Sequence, residues 1–231
     1  MDKQQQLTTM LLELGAAKVG YGELEDVLPE EFKHLKSGIS IAVRLSDQVI
    51  SDIDPKNGPT HTYFHHYRTV NAFIDQITFK VTNQLQQWGY LAMAIPASQS
   101  INHEGWNYQG LFQHRTAATR AGIGWIGKNS CLVTEEFGPR VRLATILTNM
   151  AFKYNEAITV SQCGECNLCV EGCPANALKG SLWSPKVPRQ EMIDPEVCSN
   201  HMKSRYKHIG RGAVCGICVK ICKEGNQVLK R

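Results

Sequence analysis

Cysteine spacing constrains this chain more than any other feature. Eight of the nine cysteines lie between residues 163 and 222, whereas residues 1–160 contain only Cys131. The N-terminus has no secretory signal pattern, and no apolar segment approaches the ~20 residues needed to span a bilayer. We therefore expect a cytoplasmic protein without a membrane segment, in which clustered thiols bind metal more readily than they form disulfides.

The first cysteine run has the spacing C-x2-C-x2-C-x3-C-P, ending at Pro174. This spacing is typical of bacterial ferredoxins with two [4Fe-4S] clusters, in which the fourth cysteine binds the cluster of the other half. Crossing the ligands in this way assigns to one cluster Cys163, Cys166, Cys169 and Cys222. The second cluster then receives Cys173, Cys198, Cys215 and Cys218. Cys131 is interpreted as a buried thiol at the start of a strand.

Structural zinc is the alternative, because paired C-x2-C motifs also build zinc sites. Zinc has no use for the third and fourth cysteines of the first run, so iron-sulfur clusters explain the pattern better. Two clusters form a path for electrons and imply a low-potential electron donor of the ferredoxin or flavodoxin type. The basic segment 203–211 is interpreted as a docking surface for an acidic donor, as a source of positive charge that neutralises a cluster, or as a solvated loop.

Residues 1–158 mix helical and strand patterns without regular alternation, which favours an α+β domain over a doubly wound parallel sheet. Apolar periodicity predicts helices near residues 7–14, 62–88 and 112–121, with glycines closing the first two. Strands are expected at residues 40–43 and 90–95, and a hairpin joins residues 131–134 to 141–147. The cysteine distribution places a domain boundary between 1–158 and 159–231.

A glycine-rich loop, G-x-G-x-x-G, begins at Gly122. It does not fit a dinucleotide site, because a helix precedes it, a strand follows it, and no acidic residue lies at the required distance. Its exposed backbone suits a bulky cofactor with amide edges. A tight turn that packs Trp125 into the core is an equal alternative.

The segment from His114 to Ser130, together with the double cysteine motif, resembles the epoxyqueuosine reductases and, more distantly, the reductive dehalogenases. The resemblance implies a nitroreductase-like cobalamin-binding domain followed by a bacterial two-[4Fe-4S] ferredoxin-like domain. In those families the clusters supply electrons to a base-off cobalamin. The resemblance further implies that the corrinoid would be bound by His114, Gly122, Gly124, Trp125, Gly127, Lys128 and Asn129.

Two departures from the epoxyqueuosine reductases bear on the substrate. In an ungapped match, Ile95 stands at the position of their proton-donating Asp. The sequence stops at Arg231, without the helical repeats that follow the cluster domain in those enzymes. Both argue against tRNA and favour a small-molecule substrate. The polar loop after Pro96 offers replacement proton donors or simple loop and packing residues, namely His103, Glu104, Tyr108 and His114. Tyr108 is the predicted catalytic residue.

These observations predict an iron-sulfur, corrinoid-dependent oxidoreductase in which two [4Fe-4S] clusters deliver electrons to cobalamin, which reduces a small substrate. The same parts could instead reduce the corrinoid of a partner protein. A third possibility is an electron carrier with no corrinoid and no substrate chemistry of its own.

Overall fold

The computed structural model describes residues 1–101, 108–210 and 214–225. The chain divides into two compact units, each built from three separate segments. The first unit comprises Met1–Arg44, Val70–Gly124 and Arg142–Ile158. The second unit comprises Leu45–Thr69, Trp125–Val141 and Thr159–Arg231.

Helices and strands are mixed throughout the described residues, which confirms the α+β class. The α-helices are α1 (Lys3–Glu13), α2 (Asp47–Ser51), α3 (His61–Gln87), α4 (His114–Arg120), α5 (Leu168–Glu171), α6 (Arg189–Met192), α7 (Pro195–Arg205) and α8 (Ile217–Lys220). Short 3-10 helices cover Glu25–Val27, Glu30–Leu35 and Lys207–Ile209. Within the described part of the chain, none of these helices combines the length and apolar character that a bilayer span requires.

The strands form one four-stranded sheet and one two-stranded sheet. They are β1 (Lys18–Glu23), β2 (Ser37–Arg44), β3 (Ala92–Ile95), β4 (Trp125–Ile126), β5 (Leu132–Val133) and β6 (Val141–Thr148). The larger sheet has the order β1-β2-β6-β3, with β1 antiparallel to β2 and β3 antiparallel to β6. In the smaller sheet β4 pairs antiparallel with β5.

The two most periodic segments form the helices that the sequence predicts. In α1, Asp2 and Gln5 form a capping box, and Leu7 and Leu11 are fully buried. The chain leaves α1 through Gly15, whose positive φ of 103° suits a helix C-terminus. The long helix α3 buries one apolar face at every third or fourth residue, formed by Ile74, Ile77, Val81 and Leu85.

The predicted hairpin between residues 131–134 and 141–147 is wrong. β5 pairs with β4, whereas β6 lies between β2 and β3 in the larger sheet. Thr134 and Gly138 exchange backbone hydrogen bonds of 3.0 and 2.9 Å and close a tight turn ahead of β6. Both segments have an apolar strand pattern, and tertiary packing rather than that pattern selects the partner of each.

Residues 45–69 pack within the second unit, although the sequence division put them in the first domain. A side chain at Gly58 would collide with the Tyr206 ring, and one at Gly216 would collide with Tyr63. Lys220 Nζ also donates a 2.6 Å hydrogen bond to the Ser51 carbonyl. A boundary between residues 158 and 159 occurs in both divisions, and the two-domain arrangement 1–158 and 159–231 stays a prediction.

Ile95 ends β3 inside the apolar core of the first unit. Its side chain is 1% exposed, and its Cα pairs with that of Thr145 in β6. The apolar cluster around it contains Leu24, Leu28, Leu35, Phe112, Ala117 and Leu147. An acidic side chain at this position would therefore be desolvated rather than presented to a substrate.

Replacing Ile95 with aspartate should destabilise the protein by about 4 kcal/mol or more, because it removes apolar burial and places an unpaired carboxylate in the core. The control, Ile95→Val, should cost only about 1 kcal/mol. Denaturant unfolding of anaerobically purified protein, followed by circular dichroism, measures both. An aspartate variant as stable as the valine variant would mean that residue 95 reaches solvent.

Candidate functional site

Four of the predicted ligands line a single cavity in the second unit. They are Cys163, Cys166, Cys169 and Cys222. The first three come from the turn and helix at residues 163–171, and the fourth follows α8. The structure therefore brings together the four cysteines that ligand crossing assigned to one cluster.

The other four predicted ligands influence one another in the same unit. Desolvation, followed by nearby Cys215 and Cys173, raises the pKa of Cys198. A hydrogen bond with Cys131, desolvation, and nearby Cys215 and Cys198 raise the pKa of Cys218. Cys198 lies on α7, whose first turn is capped by the Asp194 carboxylate. These neighbours match the second set that crossing predicted.

Local backbone geometry positions the first set. Gly164 has a φ of 52°, which lets the chain turn so that the Cys166 N–H donates to the Cys163 carbonyl at 3.1 Å. A side chain at Gly172 would collide with Ile221, so the chain after α5 packs closely against the chain after α8. This contact places Cys222 near the first three cysteines of the first run.

Burial raises the pKa of these thiols. The pKa of Cys169 rises to about 12, first because of desolvation and then because of nearby Cys222, Cys163 and Cys166. Desolvation also raises the pKa of Cys198 and of Cys222 to about 11. The thiols therefore bind iron only by releasing protons, and metal binding is linked to pH.

The arrangement fits a cubane better than a single ion. Within the described residues, which include all nine cysteines, no three Cys, His, Asp or Glu side chains converge closely enough to hold one metal ion, and no disulfide forms. A tetrahedral zinc site requires four ligands at about 2.0–2.3 Å from one atom. Thiols spaced around a cavity suit a four-iron cluster, whose corners lie farther apart.

The C-terminal half of the glycine loop lies at the first cluster cavity. Lys128 and Asn129 line it and are 5% and 3% exposed. Asn129 Oδ1 accepts a 3.0 Å hydrogen bond from the Cys131 N–H. A Cβ at Gly127 would lie 2.8 Å from Val133 and 3.5 Å from Cys163 Sγ, so this glycine is needed for close packing beside a ligand.

Earlier in the loop, the predicted corrinoid residues have different surroundings. Gly122 has a φ of 67°, and a Cβ there would lie 2.8 Å from the Glu156 carbonyl. α4 precedes the loop, β4 lies within it, and β5 follows it, so a helix comes before the loop and a strand after it, as the argument against a dinucleotide site expected. Gly124 directly precedes β4. Trp125 is 3% exposed, and its buried indole Nε1 has no hydrogen-bond partner in the part of the chain that the structure describes.

His114 has partners within the first unit at both ring nitrogens. Nε2 lies 3.0 Å from the Pro96 carbonyl, and Nδ1 lies 3.0 Å from Thr145 Oγ1. The carbonyl only accepts, so neutral His114 donates from Nε2 and accepts at Nδ1. Burial lowers the pKa of His114, which keeps the ring neutral at physiological pH. This geometry suits a packing residue more than a proton donor.

The remaining candidate proton donors follow β3 in the sequence. Tyr108 is half-buried and has a φ of 54°, which is uncommon for a residue with a side chain. Ile101 donates a 2.8 Å backbone hydrogen bond to Gln109, and this pairing holds the loop ends together. His103 and Glu104 lie outside the described residues. The catalytic role of Tyr108 stays a prediction.

Sequence reasoning missed two residues at the cluster sites. Arg140 is 2% exposed and donates from Nη1 to the Glu224 carbonyl at 2.9 Å and from Nη2 to the Cys222 carbonyl at 3.4 Å. Cys131 is half-buried, and a hydrogen bond with it heads the causes that raise the pKa of Cys218. Neither residue belongs to a recognisable sequence motif, because each comes close to the cluster cysteines only when the chain is folded.

Comparison with known proteins now becomes specific. Residues 162–225 match the 4Fe-4S double cluster binding domain family. This segment is a 4Fe-4S double cluster binding domain. The double-cluster domain contains all eight predicted ligands, which confirms two [4Fe-4S] clusters as cofactors.

The resemblance to epoxyqueuosine reductases and reductive dehalogenases is also confirmed. An epoxyqueuosine reductase of Synechocystis sp. is 36% identical over 173 residues, which are 71% of this chain and 55% of that protein. An epoxyqueuosine reductase solved with an epoxyqueuosine-modified tRNA-Tyr stem loop covers 96% of this chain with a TM-score of 0.62. A reductive dehalogenase described as performing B12-dependent dehalogenation covers 97% with a TM-score of 0.69.

These similarities have clear bounds. Both solved structures are 18% identical to this chain, so they show a shared fold alone. The chain spans 65% of the first and 33% of the second. Among the curated relatives, the aligned part is 27% of the protein from Listeria monocytogenes and 55% of that from Synechocystis. The solved structures therefore show a shared fold, and the double-cluster domain rests on the separate match of residues 162–225.

Replacing one ligand from each set tests the grouping. Cys222→Ala and Cys198→Ala should each lose about half of the iron and sulfide of protein reconstituted without oxygen, because a cubane missing one protein ligand is labile. Cys131→Ala is the matched control and should keep the full content. Iron and acid-labile sulfide analysis measures all three. Loss of about half the iron from Cys131→Ala would make that residue a ligand.

Proposed function

We propose that this protein is a cytoplasmic, corrinoid-dependent reductase in which two [4Fe-4S] clusters deliver electrons to a base-off cobalamin that reduces a small substrate. One observation carries the proposal: a double-cluster domain occurs within a fold shared with a B12-dependent reductive dehalogenase. Nine cysteines without a disulfide among the described residues support a reducing compartment.

One atom of the glycine loop fits such a cofactor. The indole Nε1 of Trp125 is a buried donor with no partner among the described residues, and such a group is stabilised by an acceptor from a ligand. Gly122 and Gly124 would keep the adjoining backbone free of side chains, and Trp125 would donate to an amide or phosphate oxygen. Cobalamin, when bound, supplies a cobalt centre that can be reduced at low potential.

The surroundings of Ile95 favour a small-molecule substrate over tRNA. The position that matches the acid of the epoxyqueuosine reductases lies in an apolar core and offers no proton. Tyr108, in the loop after β3, would be the replacement donor, since a phenol can give a proton to a reduced substrate. Competition by an epoxyqueuosine-containing tRNA stem loop in a substrate assay would speak against this choice.

Cobalamin binding is tested with anaerobically purified protein. Added cobalamin should remain with the protein through gel filtration and give the visible spectrum of the base-off form. Trp125→Phe keeps the aromatic ring but removes the N–H, so it should weaken binding about three- to tenfold. Trp183→Phe, a second buried tryptophan in the same unit, should leave binding unchanged.

Retention of no cobalamin by the wild-type protein would favour the second candidate. That candidate is an electron carrier, or a protein that reduces the corrinoid of a partner. It is supported by the placement of Gly127, Lys128 and Asn129, since all three have packing or hydrogen-bond roles within the second unit. Activity that requires an added corrinoid protein would identify the reducing function.

An acidic ferredoxin or flavodoxin is the proposed electron donor. Arg205, Lys207 and His208 are exposed at the end of α7 and the 3-10 helix that follows. The same segment carries Cys198 and Tyr206, and the phenol of Tyr206 is hydrogen-bonded to Cys215. This basic face therefore lies beside two ligands of the second cluster, where an acidic donor would be attracted.

The double variant Arg205→Glu/Lys207→Glu should slow reduction of the clusters by flavodoxin about tenfold at low ionic strength. The difference should shrink as salt is added, because exposed charges are screened. Lys80→Glu, an exposed residue of α3, is the control for charge reversal elsewhere. Stopped-flow absorbance follows the rate. Equal slowing in the control, or no salt dependence, would exclude this face as the docking site.

A further inference from the structure

Lys128 combines a charged side chain with almost complete burial. It is 5% exposed and lines the cavity that holds the first set of cysteines. Moving an ammonium group out of water costs several kcal/mol unless an opposite charge or strong hydrogen bonds compensate. A lysine retained at such a position therefore requires a partner that offsets this cost.

Among the described residues, the side chain that pairs with Lys128 is neutral. Lys128 Nζ donates a 2.8 Å hydrogen bond to Asn167 Oδ1, and no carboxylate of the described residues forms an ion pair with it. One amide oxygen satisfies one of three donors and provides no negative charge. Glu224 lines the same cavity but forms no ion pair with Lys128 among the described residues, so we expect the compensating anion to be what the cavity holds.

A [4Fe-4S] cluster is such an anion. A core of charge 2+ with four thiolates totals 2−, and one-electron reduction brings it to 3−. We propose that Lys128 is the buried counter-ion of the cluster bound by Cys163, Cys166, Cys169 and Cys222 and that it raises the reduction potential of this cluster. The cation stabilises the 3− state more than the 2− state, so the cluster accepts an electron from a low-potential donor more readily.

The surrounding residues fix the ammonium group in place. Asn167 is the N-cap residue of α5, yet its side chain makes no capping hydrogen bond and accepts from Lys128 instead. α5 carries Cys169, so the lysine is tied to the segment that holds the cluster. A Cβ at Gly127, next to Lys128, would lie 2.8 Å from Val133, which lines the same cavity, so this glycine keeps the chain close to the cavity wall. This role depends on the double-cluster domain and is independent of whether cobalamin binds.

The chain provides a matched control in Lys223. This lysine lines the same cavity and carries the same charge, but its side chain is exposed to solvent. Water screens an exposed charge much more strongly than a buried one. Replacement of each lysine by glutamine therefore removes one positive charge near the same cluster at two different degrees of burial.

The test is an anaerobic redox titration of the protein with both clusters bound, monitored by electron paramagnetic resonance. Lys128→Gln should make one of the two clusters harder to reduce, changing its ratio of reduced to oxidised form about tenfold at fixed potential, which is ~59 mV for a one-electron couple. The other cluster should keep its potential. Lys128→Arg should stay near the wild type, and Lys223→Gln should change the ratio less than about threefold.

Cluster content is measured in every variant, because Lys128→Gln could fail to assemble the cluster. Loss of iron in Lys128→Gln with full iron in Lys128→Arg would support the counter-ion role, because arginine keeps the positive charge and glutamine removes it. Loss of iron in both variants would overturn the proposal, because it would mean that the shape of the lysine side chain matters and its charge does not. Unchanged potentials in Lys128→Gln, with or without weaker cobalamin binding, would also overturn the proposal.

Discussion

Binding of two anionic clusters by largely half-buried thiols is the constraint on which the second unit depends. The first set of ligands comes from two segments that are distant in sequence, and the packing of Gly172 against Ile221 brings them together. Desolvation raises the pKa of Cys169 and Cys222, which makes cluster binding a process that releases protons. Folding of this unit and cluster assembly are therefore linked.

The same constraint explains why buried cations surround the first cluster. Lys128 enters the cavity from the glycine loop, and Arg140 binds the backbone carbonyls of Cys222 and Glu224. A charge-neutral surrounding would leave the cluster as an uncompensated anion in a region of low dielectric constant. The glycine loop thus serves two purposes in our interpretation, with Trp125 directed to a cofactor and Lys128 directed to the cluster.

The first unit shows how a shared fold accommodates different chemistry. The resemblance places the proton donor of the related enzymes at position 95, and the sequence offers His114 as a candidate replacement. Ile95 is instead part of an apolar cluster, and His114 is held neutral by burial and two hydrogen-bond partners. A fold does not fix a reaction, because the reaction depends on a few side chains at the site. The loop with Tyr108 is the part of this unit in which a distinct substrate preference would arise.

Sequence alone predicted the eight cluster ligands and their crossed grouping, and it determined the helices α1 and α3, because ligand spacing and apolar periodicity are local properties of the chain. Only the tertiary structure decided the partner of β5, the place of residues 45–69, and the burial of Lys128 and Arg140 beside the cluster. These features depend on contacts between segments distant in sequence. A strand pattern does not specify the strand with which it pairs. The position of a single lysine or arginine in the sequence does not show where its charged side chain will be buried.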